Sequence, residues 1–106
     1  MISLDKIKQV ANRIGQSAGA EAVILFGSYA RGQASENSDV DFLVVADSRL
    51  PRFKRSISLY KLFKPYPFGM DILVYTPVEI QKASASPLSF VSAVLREGIK
   101  VYERRD

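Results

Sequence analysis

The chain has 106 residues, of which 47% are apolar and 25% charged, and its formal net charge is +4. This composition is typical of one globular domain, and no apolar run is long enough to span a membrane. Because the sequence contains neither cysteine nor histidine, it excludes disulfides, thiolate and imidazole metal sites, and Ser-His or Cys-His catalysis. Any bound metal must therefore be a hard ion on oxygen ligands, such as Mg²⁺ or Mn²⁺.

The first part of the chain predicts a helix and a buried strand. Ser3 is a candidate cap for a helix that ends at Gly15 or Gly19. The predicted buried face of this helix consists of apolar residues at helical spacing, namely Leu4, Ile7, Val10, Ala11 and Ile14. The run AVILF, residues 22–26, is too short for a typical helix and predicts a buried strand.

The middle of the chain predicts a short helix, a second strand and a longer helix. Ser28, directly after Gly27, is placed to cap a short helix over residues 29–32. The run DVDFLVVA, residues 39–46, predicts the second strand. Residues 49–64 predict an amphipathic helix because four large side chains recur at helical spacing, namely Leu50, Phe53, Ile57 and Tyr60.

The last part of the chain predicts a third strand, two helices and a short fourth strand. The breaker KPYPFG precedes the strand MDILVYT, residues 70–76. Residues 77–82 predict a short helix, and Ser86 with Pro87 predicts the start of another. That last helix is expected to bury Phe90, Val91, Val94 and Leu95. The run IKVYE, residues 99–103, predicts the short final strand.

This order of elements predicts one mixed α/β domain over residues 1–106, with a small sheet of three to four strands flanked by helices. The connection between the first two strands is short, and the sequence leaves open whether they run parallel. With no signal-peptide pattern at the start, the expected location is the cytoplasm, away from any membrane.

Three aspartates stand at the starts of predicted strands. Because side chains alternate across a strand, Asp39 and Asp41 share one face, with Cα atoms about 6.5 Å apart. Asp71 occupies the same place in the third strand, so neighbouring strands would bring all three carboxylates to one end of the sheet. Either these aspartates form strand-end turns, or a cation lies between them. The second hypothesis suits Mg²⁺ bridging substrate phosphates.

The glycine-serine turn before these aspartates has the properties of a phosphate-binding turn. Gly27 lacks a Cβ atom, so a ligand can approach its backbone closely. The following N–H groups begin the predicted short helix, and the Ser28 hydroxyl can donate to a phosphate oxygen. Arg31 either adds a fixed positive charge beside this turn or is simply solvated. The turn and the carboxylates would then face each other across one cleft.

The segment GSYARGQASENSDVDFLVV, residues 27–45, resembles the signature of DNA polymerase β-like nucleotidyltransferases: Gly-Ser, ten residues, then Asp-x-Asp. The length of the chain and its terminal PLSFVSAVLREGIKVYE are similar to a minimal nucleotidyltransferase (MNT) domain. The resemblance implies the nucleotidyltransferase fold. It also implies attack of a hydroxyl on the α-phosphorus of a nucleoside triphosphate, with release of pyrophosphate.

The same resemblance assigns roles to residues that match the family's motif. It implies that Gly27 and Ser28 bind the β and γ phosphates of the nucleotide. The position of Arg31 beside this turn, rather than the resemblance, makes it a candidate contact of the triphosphate. It further implies that Asp39 and Asp41 hold two Mg²⁺ ions. Asp71 matches the third carboxylate, which helps to hold the catalytic metal and acts as base toward the attacking hydroxyl.

The resemblance also suggests a partner. Many MNT domains pair with HEPN-family helical toxins and act as antitoxins by transferring AMP to a toxin tyrosine. Residues 49–64 carry six cations and no acidic residue, which suits either a solvated helix face or an acidic partner, and no stacking motif favours direct binding of nucleic acid. Two alternatives stay open: an antitoxin that acts by binding alone, and a transferase for a small molecule such as an aminoglycoside.

Overall fold

A four-stranded sheet organises the protein, which is described by a computed structural model over residues 1–105; Asp106 lies outside the described residues. The strand order is β3-β2-β1-β4. The strands are β1 (Ala22–Phe26), β2 (Val40–Val45), β3 (Met70–Tyr75) and β4 (Ile99–Glu103). Strand β1 runs antiparallel to β2 and β4, whereas β2 and β3 are parallel. The mixed sheet is confirmed, and the first two strands are antiparallel.

Within the described part of the chain, four α-helices and one 3₁₀ turn surround the sheet. The helices are α1 (Leu4–Ala18), α2 (Ile57–Tyr60), α3 (Pro77–Ser84) and α4 (Phe90–Glu97), and the 3₁₀ turn covers Arg52–Lys54. The Ser3 hydroxyl caps α1 by accepting from the Lys6 N–H at 3.2 Å, and Gly19, in the left-handed region at φ 59°, ends it. The prediction for α1 is therefore confirmed with Gly19 as its end.

The predicted helix over residues 49–64 is wrong, because the chain forms only the 3₁₀ turn and the single turn of α2. A helix over these residues would place six cations together with no acidic residue to form stabilising pairs. The apolar residues of the predicted face are largely exposed instead: Leu50 by 52%, Phe53 by 77% and Ile57 by 49%. Of that row, only Tyr60 packs against the core.

Two further predictions are corrected. Residues 29–32 form turns rather than a short helix, because Gly27 before them and Gly32 at their end take left-handed φ values of 74° and 71°. The last helix starts at Phe90 with Ser89 as its cap, because Ser86 lies in a preceding turn and accepts the Ser92 hydroxyl through its carbonyl.

The two faces of the sheet are covered by different helices. Helix α1 packs on the face formed by Val23, Leu25, Val40, Phe42, Val44 and Ile72. Ile80 of α3 and Val94 of α4 pack on the opposite face, against Ile24, Leu43 and Val45. Within α4, Val91 and Val94 are buried as predicted, but Phe90 and Leu95 are about half exposed, and Leu4 of α1 is exposed too.

Helix length and hydropathy bear on the membrane expectation. Among residues 1–105, no helix combines the length and the apolar character needed to cross a bilayer.

Candidate active site

Asp41 and Asp71 face each other across the parallel pair β2–β3. Their Cα atoms are register partners, and the Val40 N–H fixes this register by donating to the Gly69 carbonyl at 2.9 Å. Both side chains lie on the α3–α4 face, because they alternate with buried residues that point toward α1. The parallel arrangement thus brings two of the three predicted carboxylates to one end of the sheet.

The electrostatics of Asp41 show that all three carboxylates interact. The pKa of Asp41 is raised from 3.8 to about 6, first by burial and then by the negative charges of Asp71 and Asp39. A side-chain hydrogen bond with Asp71 acts in the same direction, whereas the positive charge of Arg31 opposes it. The site therefore concentrates negative charge around a half-buried carboxyl group, which favours a cation as partner.

Two glycines make room for the carboxylates. A Cβ atom on Gly27 would overlap Oδ2 of Asp41, and one on Gly69 would overlap Oδ1 of Asp39. Gly27 also needs its positive φ of 74° to turn the chain after β1. The role of Gly69 was missed in the sequence, where it reads only as a strand breaker, although a glycine directly before a strand-start aspartate is a usable signal.

The turn after β1 differs from the predicted helix start. The N–H groups of Ala30 and Arg31 both donate to the Gly27 carbonyl at 3.1 Å, and the Gln33 N–H donates to the Ser28 carbonyl at 2.9 Å. These bonds use the later N–H groups of the turn internally. Phosphate binding here would therefore rest on the start of the turn, at Gly27 and Ser28, rather than on a helix dipole.

Arg31 lies beside the carboxylates without being free. Its Nε donates to Oε1 of Gln33 at 3.2 Å, and its Nη1 is 4.0 Å from Oε2 of Glu97 in α4. Its side chain is 44% exposed, and its charge lowers the pKa of Asp41. The guanidinium is thus placed to meet an anion that enters beside Asp41.

The chemistry of the donor set fits a hard divalent cation such as Mg²⁺, because Asp39, Asp41 and Asp71 offer only carboxylate oxygens. Within residues 1–105, however, no three acidic side chains come together tightly enough to hold a metal as they stand. Asp41 lies opposite Asp71 across the strand pair, whereas the Asp39 carboxylate lies against Gly69. For all three carboxylates to hold one metal, Asp39 would have to turn toward the other two.

The six cations of the basic segment 49–64 differ in exposure: one is nearly buried and five are exposed. Arg55, whose side chain is only 9% exposed, pairs with Glu79 through two contacts of 2.6 and 3.2 Å and also donates to the Val74 carbonyl. The hydrogen bond from Arg55, reinforced by the Thr76 N–H, lowers the pKa of Glu79 to about 2. Arg55 is therefore structural, and the exposed cations are Arg49, Arg52, Lys54, Lys61 and Lys64.

A shallow depression between α1 and β4 has none of this chemistry. It is lined by Lys8, Gln9, Asn12, Gln16, Val101, Tyr102, Glu103 and Arg105. It lies on the α1 side of the sheet, away from the three aspartates, and its lining contains no pair of acidic side chains.

Known proteins resemble the chain in sequence along most of its length. The model of the family described as Polymerase beta, Nucleotidyltransferase matches residues 5–106. An inferred protein adenylyltransferase of Methanocaldococcus jannaschii is 37% identical over 76% of this chain and 78% of its own length. A second one from that organism is 39% identical over 80% of this chain and 59% of its own length. The protein adenylyltransferase MntA of Thermococcus cleftensis is 29% identical over 95% and 98%.

Solved structures show the same fold. An inferred nucleotidyltransferase from Sulfolobus solfataricus superposes with a TM-score of 0.66 at 21% identity, covering 95% of this chain and 80% of that one. A chain from a toxin–antitoxin complex with AMP-PNP superposes with a TM-score of 0.60 at 20% identity, covering 92% and 74%. The predicted fold class is thereby confirmed.

Proposed function

The chain belongs to the polymerase beta nucleotidyltransferase family, and we propose that this nucleotidyltransferase moves AMP from ATP onto a hydroxyl of a protein toxin and thereby acts as an antitoxin. The observation that carries the proposal is the placement of Asp41 opposite Asp71 on one sheet face, with the Gly27 turn against Asp41 and the charge of Asp39 acting on it. Relatives that are named protein adenylyltransferases support a protein as the acceptor.

In the proposed reaction, each site residue has a role in binding either the phosphates or the metal ions. Gly27 and Ser28 bind the β and γ phosphates, and Arg31 neutralises charge on the triphosphate beside them. Asp39, Asp41 and Asp71 are the residues that would hold two Mg²⁺ ions. When bound, such ions stabilise charge on the attacking and leaving oxygens.

The chemical step is an in-line displacement at the α-phosphorus. The acceptor oxygen forms the new bond to phosphorus, and the bond to the oxygen bridging the α and β phosphates breaks, so pyrophosphate leaves. With no histidine in the chain, removal of the proton from the acceptor hydroxyl falls to a carboxylate, a metal or water, and we assign it to a carboxylate. Asp71 suits this role better than Asp41 because its side chain is exposed whereas that of Asp41 is partly buried.

The surface of residues 49–64 supports a protein partner. Leu50, Phe53 and Ile57 expose large apolar side chains, and Arg49, Lys54 and Lys61 lie among them without an acidic neighbour in the segment. A partner surface with apolar and acidic residues complements this segment. We take the partner to be a HEPN-type helical toxin in the cytoplasm, with a tyrosine hydroxyl as acceptor.

The direct test is the intact mass of a co-expressed HEPN-type toxin after incubation with this protein, ATP and Mg²⁺. The proposal expects a gain of one or more AMP units, which is absent with the Asp39→Asn/Asp41→Asn variant. A stable complex without any gain in mass would instead support an antitoxin that acts by binding alone. Neither complex nor modification would redirect the search to small acceptors such as aminoglycosides.

A further inference from the structure

The outer edge of β3 is covered by side chains from the segment before it. Strand β3 stands at the edge of the sheet, so its outward N–H and C=O groups need partners. The Tyr60 hydroxyl accepts from the Ile72 N–H at 2.8 Å and lies 3.5 Å from the Met70 carbonyl, to which it donates. Farther along this edge, Arg55 donates to the Val74 carbonyl at 3.2 Å.

The contacts of Tyr60 bracket Asp71. Along a strand, successive residues direct their backbone N–H and C=O groups to opposite sides. The backbone groups of Met70 and Ile72 therefore point outward, toward Tyr60, whereas those of Asp71 point toward β2. The backbone at Asp71 is thus held by β2 on one side and by the Tyr60 hydroxyl on the other. Burial raises the pKa of Tyr60 above its ordinary value of 10.0, so the hydroxyl keeps its proton and can donate and accept at once.

We propose that Tyr60 is a positioning residue for Asp71, whose carboxylate it holds in the place needed for metal-dependent binding of the triphosphate. This inference rests on the proposed function, because only that function requires Asp71 to hold a metal. The ring of Tyr60 packs against the core and meets Tyr66 edge-on at 6.2 Å. The hydroxyl can therefore be removed while the ring stays in place.

The test uses the Tyr60→Phe variant and an ATP analogue with a methylene group between the α and β phosphates, which binds but cannot transfer AMP. Calorimetric titration gives its dissociation constant with and without Mn²⁺, and the ratio measures the metal-dependent gain in affinity. We expect Tyr60→Phe to reduce this gain about tenfold, which is typical when a residue that orients a metal ligand by hydrogen bonding is lost. Its affinity for the metal-free analogue should equal that of wild type, because Gly27 and Ser28 are unchanged.

The matched control is Ser92→Ala, which removes another buried hydroxyl bonded to the main chain, the bond to the Ser86 carbonyl at 2.6 Å. It should lower the melting temperature as Tyr60→Phe does but keep the full metal-dependent gain. Equal gains in wild type and Tyr60→Phe would overturn the role of Tyr60 and leave the proposed function intact. A wild-type protein with no metal-dependent gain would overturn both, so the two failures are distinguishable.

Discussion

Asp41 and Asp71 are register partners across the parallel strands β2 and β3, and the negative charges of Asp71 and Asp39 add to burial in raising the pKa of Asp41. A pair of this kind opposes folding unless a proton or a cation lies between its members. The protein thus carries a strained electrostatic arrangement at one end of its sheet. Such arrangements occur where binding or catalysis requires them.

The first prediction concerns stability against pH. The pKa of Asp41 in the folded chain, about 6, lies above its ordinary value of 3.8, so the folded state holds this proton more tightly than the unfolded state. The stabilisation from this group is complete below pH 3.8 and is lost as the pH rises through about 6. Urea denaturation across this range should show the free energy of unfolding falling with rising pH.

Asp41→Asn provides the control for that prediction. The variant removes the charge, so it should lose this pH dependence and gain about 1 kcal/mol of stability near pH 8, after allowance for solvent screening. Glu79 acts in the opposite direction at lower pH: its pKa is lowered from 4.5 to about 2, so its stabilisation is complete above pH 4.5 and is lost as the pH falls toward 2. The comparison is therefore made above pH 4.5, where only the Asp41 contribution changes. An unchanged pH dependence in Asp41→Asn would contradict the assignment to this group.

A second prediction compares two glycines with similar backbone angles. Gly27→Ala and Gly32→Ala both place a Cβ atom at a positive φ, 74° and 71°, and each should cost about 1 kcal/mol of backbone strain. Only at Gly27 does the new atom overlap Asp41, whereas nothing lies within 4 Å at Gly32. Nucleotide binding and AMP transfer should therefore be lost in Gly27→Ala and retained in Gly32→Ala. Equal activities in the two variants would show that Asp41 does not need this space.

A third prediction separates structural from exposed arginines. Arg55→Met removes a nearly buried guanidinium that bonds the Leu50 and Val74 carbonyls as well as Glu79. It should lower the free energy of unfolding by about 2 to 3 kcal/mol. Arg52→Met removes a half-exposed partner of Glu79 and should cost less than about 1 kcal/mol. Thermal and urea denaturation of both variants measure this, and similar losses would be inconsistent with the structural role of Arg55.

A fourth prediction concerns the partner surface around Phe53, which is 77% exposed. Phe53→Ser should weaken the toxin complex at least about tenfold, since exposed aromatic anchors carry much of the energy of an interface. Leu88→Ser is the control because Leu88 is 94% exposed outside the segment 49–64. Calorimetry with the purified toxin measures both constants. If only Leu88→Ser weakened the complex, the partner surface would have to be placed near α4 instead.

Periodicity and strand chemistry predicted most of the fold and the three aspartates. The strands were predictable because short apolar runs such as AVILF are too short for typical helices. Alternation of side chains along a strand then predicted that Asp39 and Asp41 share one face. Their convergence with Asp71 could not be derived, because it depends on β2 and β3 being parallel neighbours, a long-range pairing.

The failures have physical reasons as well. The helical spacing of Leu50, Phe53 and Ile57 predicted a buried face, but these side chains are largely exposed, because periodicity alone does not show whether another element covers them. The role of Tyr60 could not be predicted, because its hydrogen bond with the Ile72 N–H exists only once α2 lies against the edge of β3. Such contacts depend on tertiary structure and leave no local pattern.

The most direct test of AMP transfer is to incubate the protein and a co-expressed toxin with Mg²⁺ and ATP labelled at either the α or the γ phosphorus. We predict label on the toxin from the α position only, with none from the Asp41→Asn variant. Label from the γ position, or α label that persists in Asp41→Asn, would contradict an AMP transfer carried by these carboxylates.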